Sequence, residues 1–218
     1  MLHIIAITVP LLLEGILTTI EVSVLAIVLS LALGLGMAAL GLWKSHILRR
    51  AVKLYVKVFR CIPFMVQIYI IYYGLPTLGI RLPAFWTGAL VLGLYTAAYV
   101  EVIVESGVRA LPKGQNEAAV AMGMPYLMRL RRILFPQTIG IILPPLTGQL
   151  MQTVKDSSVL SVITVSELTM MTNEAIGITF SPLQVYLCTA VFYWALNLVI
   201  ENGLKHVERR SYVRRGIL

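Results

Sequence analysis

The chain has 218 residues, of which 58% are hydrophobic and only 13% are charged, and its formal net charge is +8. A soluble domain contains about 25% charged residues and cannot bury so large an apolar fraction at this size. The composition therefore excludes an ordinary soluble enzyme, a disordered chain and a small disulfide scaffold, and it predicts an all-α polytopic membrane protein.

The N-terminal fifteen residues are apolar but interrupted. Pro10, Glu14 and Gly15 predict a short interfacial helix that turns into the first membrane span. No basic segment follows Met1 and no small-residue cleavage site is present, so we expect no cleaved signal peptide.

Five stretches without Lys, Arg, Asp or Glu are long enough to cross a bilayer as helices. These predicted spans are residues 22–42, 61–80, 82–100, 133–154 and 175–200. The apolar segment 157–166 has only ten residues, and it predicts an additional re-entrant piece.

Lysine and arginine are concentrated in three segments. Residues 43–60, 101–132 and 201–218 contain sixteen of the eighteen basic residues, and only Arg81 and Lys155 lie elsewhere. Because basic residues collect on cytoplasmic loops, this distribution predicts an external N-terminus, a cytoplasmic C-terminus and five spans. It also accounts for the positive charge without nucleic-acid binding. We expect one domain, 1–218, without a linker.

The middle basic segment contains a helix signal outside the spans. Pro112 can open a helix, residues 115–122 favour helix, and Gly123 followed by Pro125 ends it. A second, basic helix is predicted to lead back into the bilayer at Ile133. The segment 111–132 is therefore predicted to form a small helical projection on the cytoplasmic side.

This segment resembles the EAA loop of ABC-importer permeases, whose pattern is EAA-x3-G-x9-I-x-LP. The chain has Glu117, Ala118 and Ala119, then Gly123, and then Ile133 followed by Phe135 and Pro136, with Phe135 in place of the family's Leu. The resemblance implies that Glu117, Ala118, Ala119, Gly123 and Pro136 couple the chain to an ATPase. It also implies the type I ABC-importer transmembrane fold.

Further stretches resemble the polar amino-acid branch of these permeases, and the resemblance covers about residues 15–210, the expected core. They are FRCIP at 59–63, IYYGLP at 71–76, PKGQ at 112–115 and KDSS at 155–158. The chain departs from the branch in its third span, where the usual Glu position is Val102 with Glu101 one place earlier, and where Glu105 replaces a common Arg.

The resemblance implies a permease in the bacterial inner membrane that imports a polar amino acid. Its partners would be a second, identical or related permease chain, two cytoplasmic ATPases and an extracytoplasmic binding protein. The sequence has no G-x-x-x-x-G-K-[ST] motif, so we expect ATP and Mg²⁺ on the ATPases and no cofactor on this chain. An opine, peptide or metal-chelate permease and a passive five-span channel are the alternatives.

The sequence offers no catalytic or metal site, because Cys61, Cys188 and the three histidines are dispersed. Polar residues in or beside the spans are instead candidates for a substrate path, since charge in a membrane is costly. The candidates are Gln67, Tyr72, Tyr95, Tyr99, Glu101, Glu105, Lys155, Asp156, Ser157 and Ser158. Three alternatives remain open: ion pairing for Glu101 and Glu105, interfacial anchoring for the tyrosines, and a salt bridge at the outer end of the fourth span for Lys155 and Asp156.

Overall fold

The computed structural model describes residues 2–41 and 45–213, and this part of the chain is all-helical, as predicted. It also contains a π-helical turn at Leu130–Leu134 and a 3₁₀-helix at Ser157–Ile163. The α-helices are α1 (Leu2–Gly41), α2 (His46–Cys61), α3 (Phe64–Thr77), α4 (Ala84–Arg109), α5 (Lys113–Ala121), α6 (Tyr126–Arg129), α7 (Phe135–Asp156), α8 (Leu168–Thr179) and α9 (Pro182–Val213).

The first helix is longer than the sequence predicts. α1 runs without a break for 40 residues and contains Pro10 in its interior. The predicted interfacial helix that turns near Gly15 is therefore wrong. Apolar helices in membranes tolerate an internal proline because neighbouring groups satisfy the freed backbone atoms.

The centre of the bundle is the contact between α1 and α4. A Cβ atom on Gly93 of α4 would lie 2.7 Å from Leu29 Cδ2, and one on Gly34 of α1 would lie 2.6 Å from Val100 Cβ, so the two helices touch without a side chain at either glycine. Small residues allow such close approach between membrane helices. The core around this contact contains Val22, Ala26, Ile68, Val91, Leu92, Leu160 and Ile163.

α2 and α3 are separated by a sharp bend, with an angle of 106° between them. The predicted span 61–80 therefore begins in one helix and continues in another. α3 has 14 residues, about 21 Å at 1.5 Å per residue, which is shorter than a hydrocarbon core of about 30 Å. Alone, it is too short to be a full span.

The predicted span 175–200 is also divided between two helices. α8 ends where Phe180 adopts a left-handed conformation, with φ 51°, and Pro182 opens α9. In the described part of the chain, four helical stretches are long and apolar enough to cross a membrane: His3–Gly41, Ala84–Arg109, Tyr126–Ile163 and Pro182–His206. The count rises to five if the bent pair α2–α3 forms one span.

Candidate coupling surface and substrate path

α5 and the turn after it form a compact projection. The turn satisfies the last carbonyls of α5 through two backbone hydrogen bonds, in which Gly123 N donates to Val120 O at 2.9 Å and Met124 N donates to Ala119 O at 3.1 Å. This is a Schellman ending, and it needs the left-handed conformation that Gly123 adopts, with φ 72°. The helix lies within one or two residues of its predicted bounds, 115–122.

The projection exposes both charge and apolar surface. Glu117 and Ala118 are exposed, whereas Ala119 is 1% exposed and faces the chain itself. The small side chain at 119 therefore serves internal packing, Ala118 is the exposed alanine of the pair, and the coupling role of Ala119 stays a prediction. The exposed apolar side chains nearby are Val120, Met122, Tyr126, Leu127 and Phe135. Apolar surface of this kind is typical of protein–protein contacts.

The return from the projection into the bundle passes through α6, the π-helical turn and α7. The predicted basic helix is thus present, but it joins the bundle through Leu130–Leu134 instead of running on as a regular α-helix. Pro136 occupies the first turn of α7, where a missing N–H is harmless. Gln137 Nε2 donates to Gln115 Oε1 at 3.5 Å and connects α7 to α5.

Lys155 and Asp156 lie at the end of α7, beside the middle of α4. The hydroxyls of Thr153 and Thr96 are 3.1 Å apart, and Thr96 is near the centre of α4. The prediction that Lys155 and Asp156 lie at the outer end of a span is therefore wrong. Asp156 accepts a hydrogen bond from Gln152 Nε2 at 2.8 Å, while Lys155 is exposed.

Lys155 and Ser158 line a cavity of about 470 Å³ between α7 and α9. Its other polar lining comes from Tyr193, Asn197 and Glu201 of α9. These three residues are spaced four apart and share one helix face, a signal that the sequence analysis missed. The Ser157 hydroxyl is buried and donates to Val154 O at 2.8 Å, so it serves the chain's own backbone.

A second cavity, of about 440 Å³, lies between α2 and α4 and is lined by both basic and acidic side chains. Glu105 accepts from Arg109 Nε at 3.1 Å and from Nη2 at 2.6 Å, which makes it an ion-pair member. The lining residues are Lys53, Val56, Lys57, Arg60, Cys61, Tyr99, Glu101, Val102 and Glu105.

Two tyrosines of α4 lie at this second cavity: Tyr99 lines it, and Tyr95 contacts Tyr99. The Tyr95 and Tyr99 hydroxyls are 3.0 Å apart, and the Arg60 guanidinium lies 5.2 Å from the Tyr99 ring centroid. Glu101 is only 3% exposed. Arg60, Tyr99 and Glu101 therefore line one side of the same cavity, with Glu101 buried and Arg60 exposed.

Two candidates for the substrate path lie elsewhere. Gln67 Nε2 donates to Phe59 O and Ile62 O, both at 2.8 Å, so Gln67 braces the bend between α2 and α3. Tyr72 packs against the apolar core and its ring is 5.2 Å from that of Tyr73. Neither residue lines the two cavities described above.

Glu167 is a buried carboxylate that the sequence analysis did not single out. It caps α8 by accepting from Thr169 N at 2.9 Å and from Met170 N at 3.0 Å. Tyr193 of α9 donates its hydroxyl to the same carboxylate at 3.0 Å. Glu167 thus ties the start of α8 to the cavity-lining helix α9.

Comparison with known proteins identifies the family of this helical bundle. The profile of the family described as "Binding-protein-dependent transport system inner membrane component" matches residues 30–212. The chain belongs to this family. As an inner membrane component, it is a transport subunit and not itself an enzyme, and such systems include ATPase and binding-protein partners.

Relatives of this inner membrane component match it over most of their length. The probable glutamine ABC transporter permease protein GlnM of Bacillus subtilis (strain 168) is 32% identical over 197 residues, covering 90% of this chain and 91% of that one. The arginine transport system permease protein ArtQ of the same organism is 33% identical, covering 93% of both. The octopine transport system permease protein OccM of Rhizobium meliloti is 34% identical, covering 90% and 84%.

A solved structure described as an amino acid ABC transporter with histidines has the same fold as this inner membrane component. It superposes with a TM-score of 0.86 at 32% identity, covering 93% of this chain and 94% of that one. The MetNI methionine ABC transporter, at 20% identity and a TM-score of 0.76, shares the fold, with 92% and 96% covered. The fold is that of type I ABC-importer transmembrane domains, as the resemblance predicted.

Proposed function

We propose that this chain and a second permease chain enclose the import path for a polar amino acid. The relatives named for glutamine and arginine support this substrate class. Two cytoplasmic ATPases would hold ATP and Mg²⁺ and drive the cycle, and an extracytoplasmic binding protein would deliver the substrate. This chain itself would hold no cofactor.

The proposed substrate class rests on the lining of the cavity between α7 and α9. An amino acid presents a carboxylate and an ammonium group, and the cavity offers Lys155 for the first and Glu201, which also pairs with Lys205, for the second. Asn197 Oδ1 is buried there without a hydrogen-bond partner among the described residues, which leaves it available to a ligand N–H. Met151 and Trp194 supply apolar lining for the rest of the substrate.

The projection around α5 is proposed as the contact to the ATPase. Glu117 provides the charged contact, and Ala118 allows close approach because its side chain is small. The exposed apolar residues after Gly123 would be covered by the same partner. Movement of the ATPases would then shift α5 as a rigid body and change the bundle through α7.

The proposed topology has five spans, an external N-terminus and a cytoplasmic C-terminus, within a single domain 1–218. The bent pair α2–α3 would count as the second span, and α8 would be a half-span that joins α7 to α9. This arrangement follows the distribution of Lys and Arg, and it puts α5 on the side of the ATPases.

Uptake by the reconstituted transporter tests the substrate and the cavity together. The permease, its ATPases and its binding protein are placed in liposomes, and ATP-dependent uptake of radiolabelled arginine, glutamine and glutamate is measured. We expect uptake of at least one, and a loss of about tenfold or more in Lys155→Gln and Glu201→Gln, because each removes a charge-assisted hydrogen bond to the substrate.

Glu174→Gln is the matched control, since Glu174 is an exposed carboxylate on α8 outside the cavity. Its uptake should equal that of the unmodified chain. Uptake that persists without ATP would contradict the importer and favour a channel. Full activity of both cavity variants would contradict the proposed role of the cavity.

An opine is the second candidate substrate. The relative named for octopine, at 34% identity, favours it. The same liposomes separate the two candidates, because excess unlabelled octopine abolishes amino-acid uptake only if it is recognised by the system.

A further inference from the structure

α2 has two different exposed stripes. It contains Arg49, Arg50, Lys53, Lys57 and Arg60, and it has no acidic residue. At 100° of rotation per residue, Ile47, Leu54 and Val58 form one apolar line along α2. The mean direction of the basic side chains is rotated about 100° from that line around the helix axis. The apolar stripe is open: Ile47 is 80% exposed and Leu54 is 63% exposed.

The third face of α2 attaches the helix to the bundle. Val52 is buried, and the Tyr55 hydroxyl donates to Leu94 O of α4 at 2.6 Å. Arg49 Nε donates to Gly41 O, at the end of α1, at 3.3 Å. The chain therefore holds α2 by one face. The apolar stripe points away from the chain, and Lys53 and Lys57 are exposed at the edge of the cavity between α2 and α4.

Three cations of the basic stripe have no ion-pair partner within the described part of the chain. Arg50, Lys53 and Lys57 make no ion pair within 4.0 Å among residues 2–41 and 45–213. Two acidic residues share the cavity with Lys53 and Lys57: Glu105 is already bound to Arg109, and Glu101 is buried and makes no ion pair with either lysine within 4.0 Å. These cations are thus available to a negatively charged ligand outside the chain.

α2 also lies across the bundle. α3 packs along α4, with Phe64 against Tyr95 and Ile68 in the core cluster beside Val91. Because α2 makes an angle of 106° with α3, it runs nearly perpendicular to that direction. It begins just after α1 ends, at the end of the bundle that the basic residues assign to the cytoplasm.

We propose that α2 is an interfacial helix that binds anionic phospholipids of the inner leaflet. Ile47, Leu54 and Val58 insert among the acyl chains, and Arg50, Lys53 and Lys57 bind the lipid phosphates. A basic amphipathic helix with separate apolar and cationic stripes fits the boundary between head groups and acyl chains. Lipid binding would thereby hold the bend before α3 at a fixed depth.

Spin labels test the depth of α2 in the assembled transporter. In a Cys61→Ser, Cys188→Ser background, labels are placed at Leu54→Cys or Lys57→Cys, and the protein is reconstituted with its ATPases. We expect oxygen to relax the label at 54 more strongly, and a water-soluble nickel chelate to relax the label at 57 more strongly. Equal access of the chelate to both sites, or shielding of 54 from both relaxants, overturns the proposal.

Lipid selectivity is tested in nanodiscs of phosphatidylcholine with a minority of phosphatidylglycerol. Energy transfer from a dye at position 54 to head-group-labelled phosphatidylglycerol, compared with labelled phosphatidylcholine, measures local enrichment. We expect enrichment of the anionic lipid, lowered on the order of tenfold in Lys53→Gln/Lys57→Gln. Arg131→Gln/Arg132→Gln removes the same charge from the same end and should keep the enrichment. Equal values for both lipids, or an unchanged value in the α2 variant, contradict the proposal.

Discussion

At the scale of single residues, Gly123 is the position with the strictest backbone requirement in the projection. Its φ of 72° ends α5, and no neighbouring atom would touch an added Cβ. A substitution there is therefore opposed by backbone strain and not by crowding. The left-handed conformation costs an L-residue about 1–2 kcal/mol.

Gly123→Ala should weaken ATPase assembly while leaving the bundle folded, because the strain shifts the direction in which α5 points. We expect roughly tenfold weaker retention of the ATPases in a pull-down from detergent, about 1–2 kcal/mol of strain. Gly114→Ala is the matched control, since Gly114 lies in α5, has open space around it and has no positive φ. Equal retention by both variants would show that the turn does not matter for assembly.

Sequence reasoning recognised the residues of the projection but misplaced Lys155. The predicted spans are charge-free stretches, and by this criterion the first charge marks the membrane surface. Lys155 instead lines a cavity at the level of the middle of α4, where polar neighbours surround it. Glu167 was missed because its partner Tyr193 comes from another helix, and Asn197 because the cavity that it lines lies between two helices, which a single sequence does not reveal.

At the scale of helices, the α8–α9 pair depends on buried polar contacts. Glu167 caps α8 and accepts from Tyr193, and the hydroxyls of Thr172 and Thr189 are 2.8 Å apart. Leu168 N also donates to Thr19 Oγ1 of α1 at 3.1 Å. These bonds fix the register of the two helices beside an apolar cluster in which Leu12 of α1 packs with Leu168 and Met171 of α8.

Glu167→Ala should destabilise the chain by about 2 kcal/mol, because it removes a cap and leaves the Tyr193 hydroxyl without its carboxylate partner. Thermal unfolding in detergent measures the change as a lower Tm. Glu174→Ala, at an exposed site of α8, should leave Tm nearly unchanged. Glu167→Ser keeps a capping hydroxyl and should recover part of the loss. A Tm for Glu167→Ala equal to that of the control would contradict this account.

Helix existence was predictable, whereas helix ends were not. The apolar stretches identified α1, α4, α7 and α9 because a bilayer demands long helices. The break after α8 falls at Phe180, which has no intrinsic preference for the left-handed region, so only Pro182 marked it. Conversely, Pro10 marked a break that does not occur, since packing keeps α1 continuous.

At the scale of the whole molecule, the two ends of the bundle differ in what they expose. One end carries α2, α5 and the basic residues. The turn between α8 and α9 precedes the last long helix. The proposed topology puts α5 inside the cell and this turn outside. Phe180, 87% exposed, and Val120, 51% exposed, are suitable reporters of the two sides.

Single cysteines at these positions should be labelled from opposite sides. In the cysteine-free background, a membrane-impermeant maleimide should modify Phe180→Cys in intact cells and Val120→Cys only in inverted vesicles. Denatured samples control for total reactivity. Modification of Val120→Cys in intact cells would put α5 outside and exclude coupling to a cytoplasmic ATPase.

Given the proposed substrate site between α7 and α9, the contact between α1 and α4 limits which parts of the bundle can vary without loss of packing. An added methyl group at Gly34 would lie 2.6 Å from Val100 Cβ, and one at Gly93 would require Leu29 to move, so substitutions in this contact disturb the packing of the bundle. The α9 wall of the cavity has no such constraint, since Trp194 is 65% exposed and Leu198 is 37% exposed. Mutant libraries aimed at new cargo should therefore randomise α9 and leave the α1–α4 seam intact.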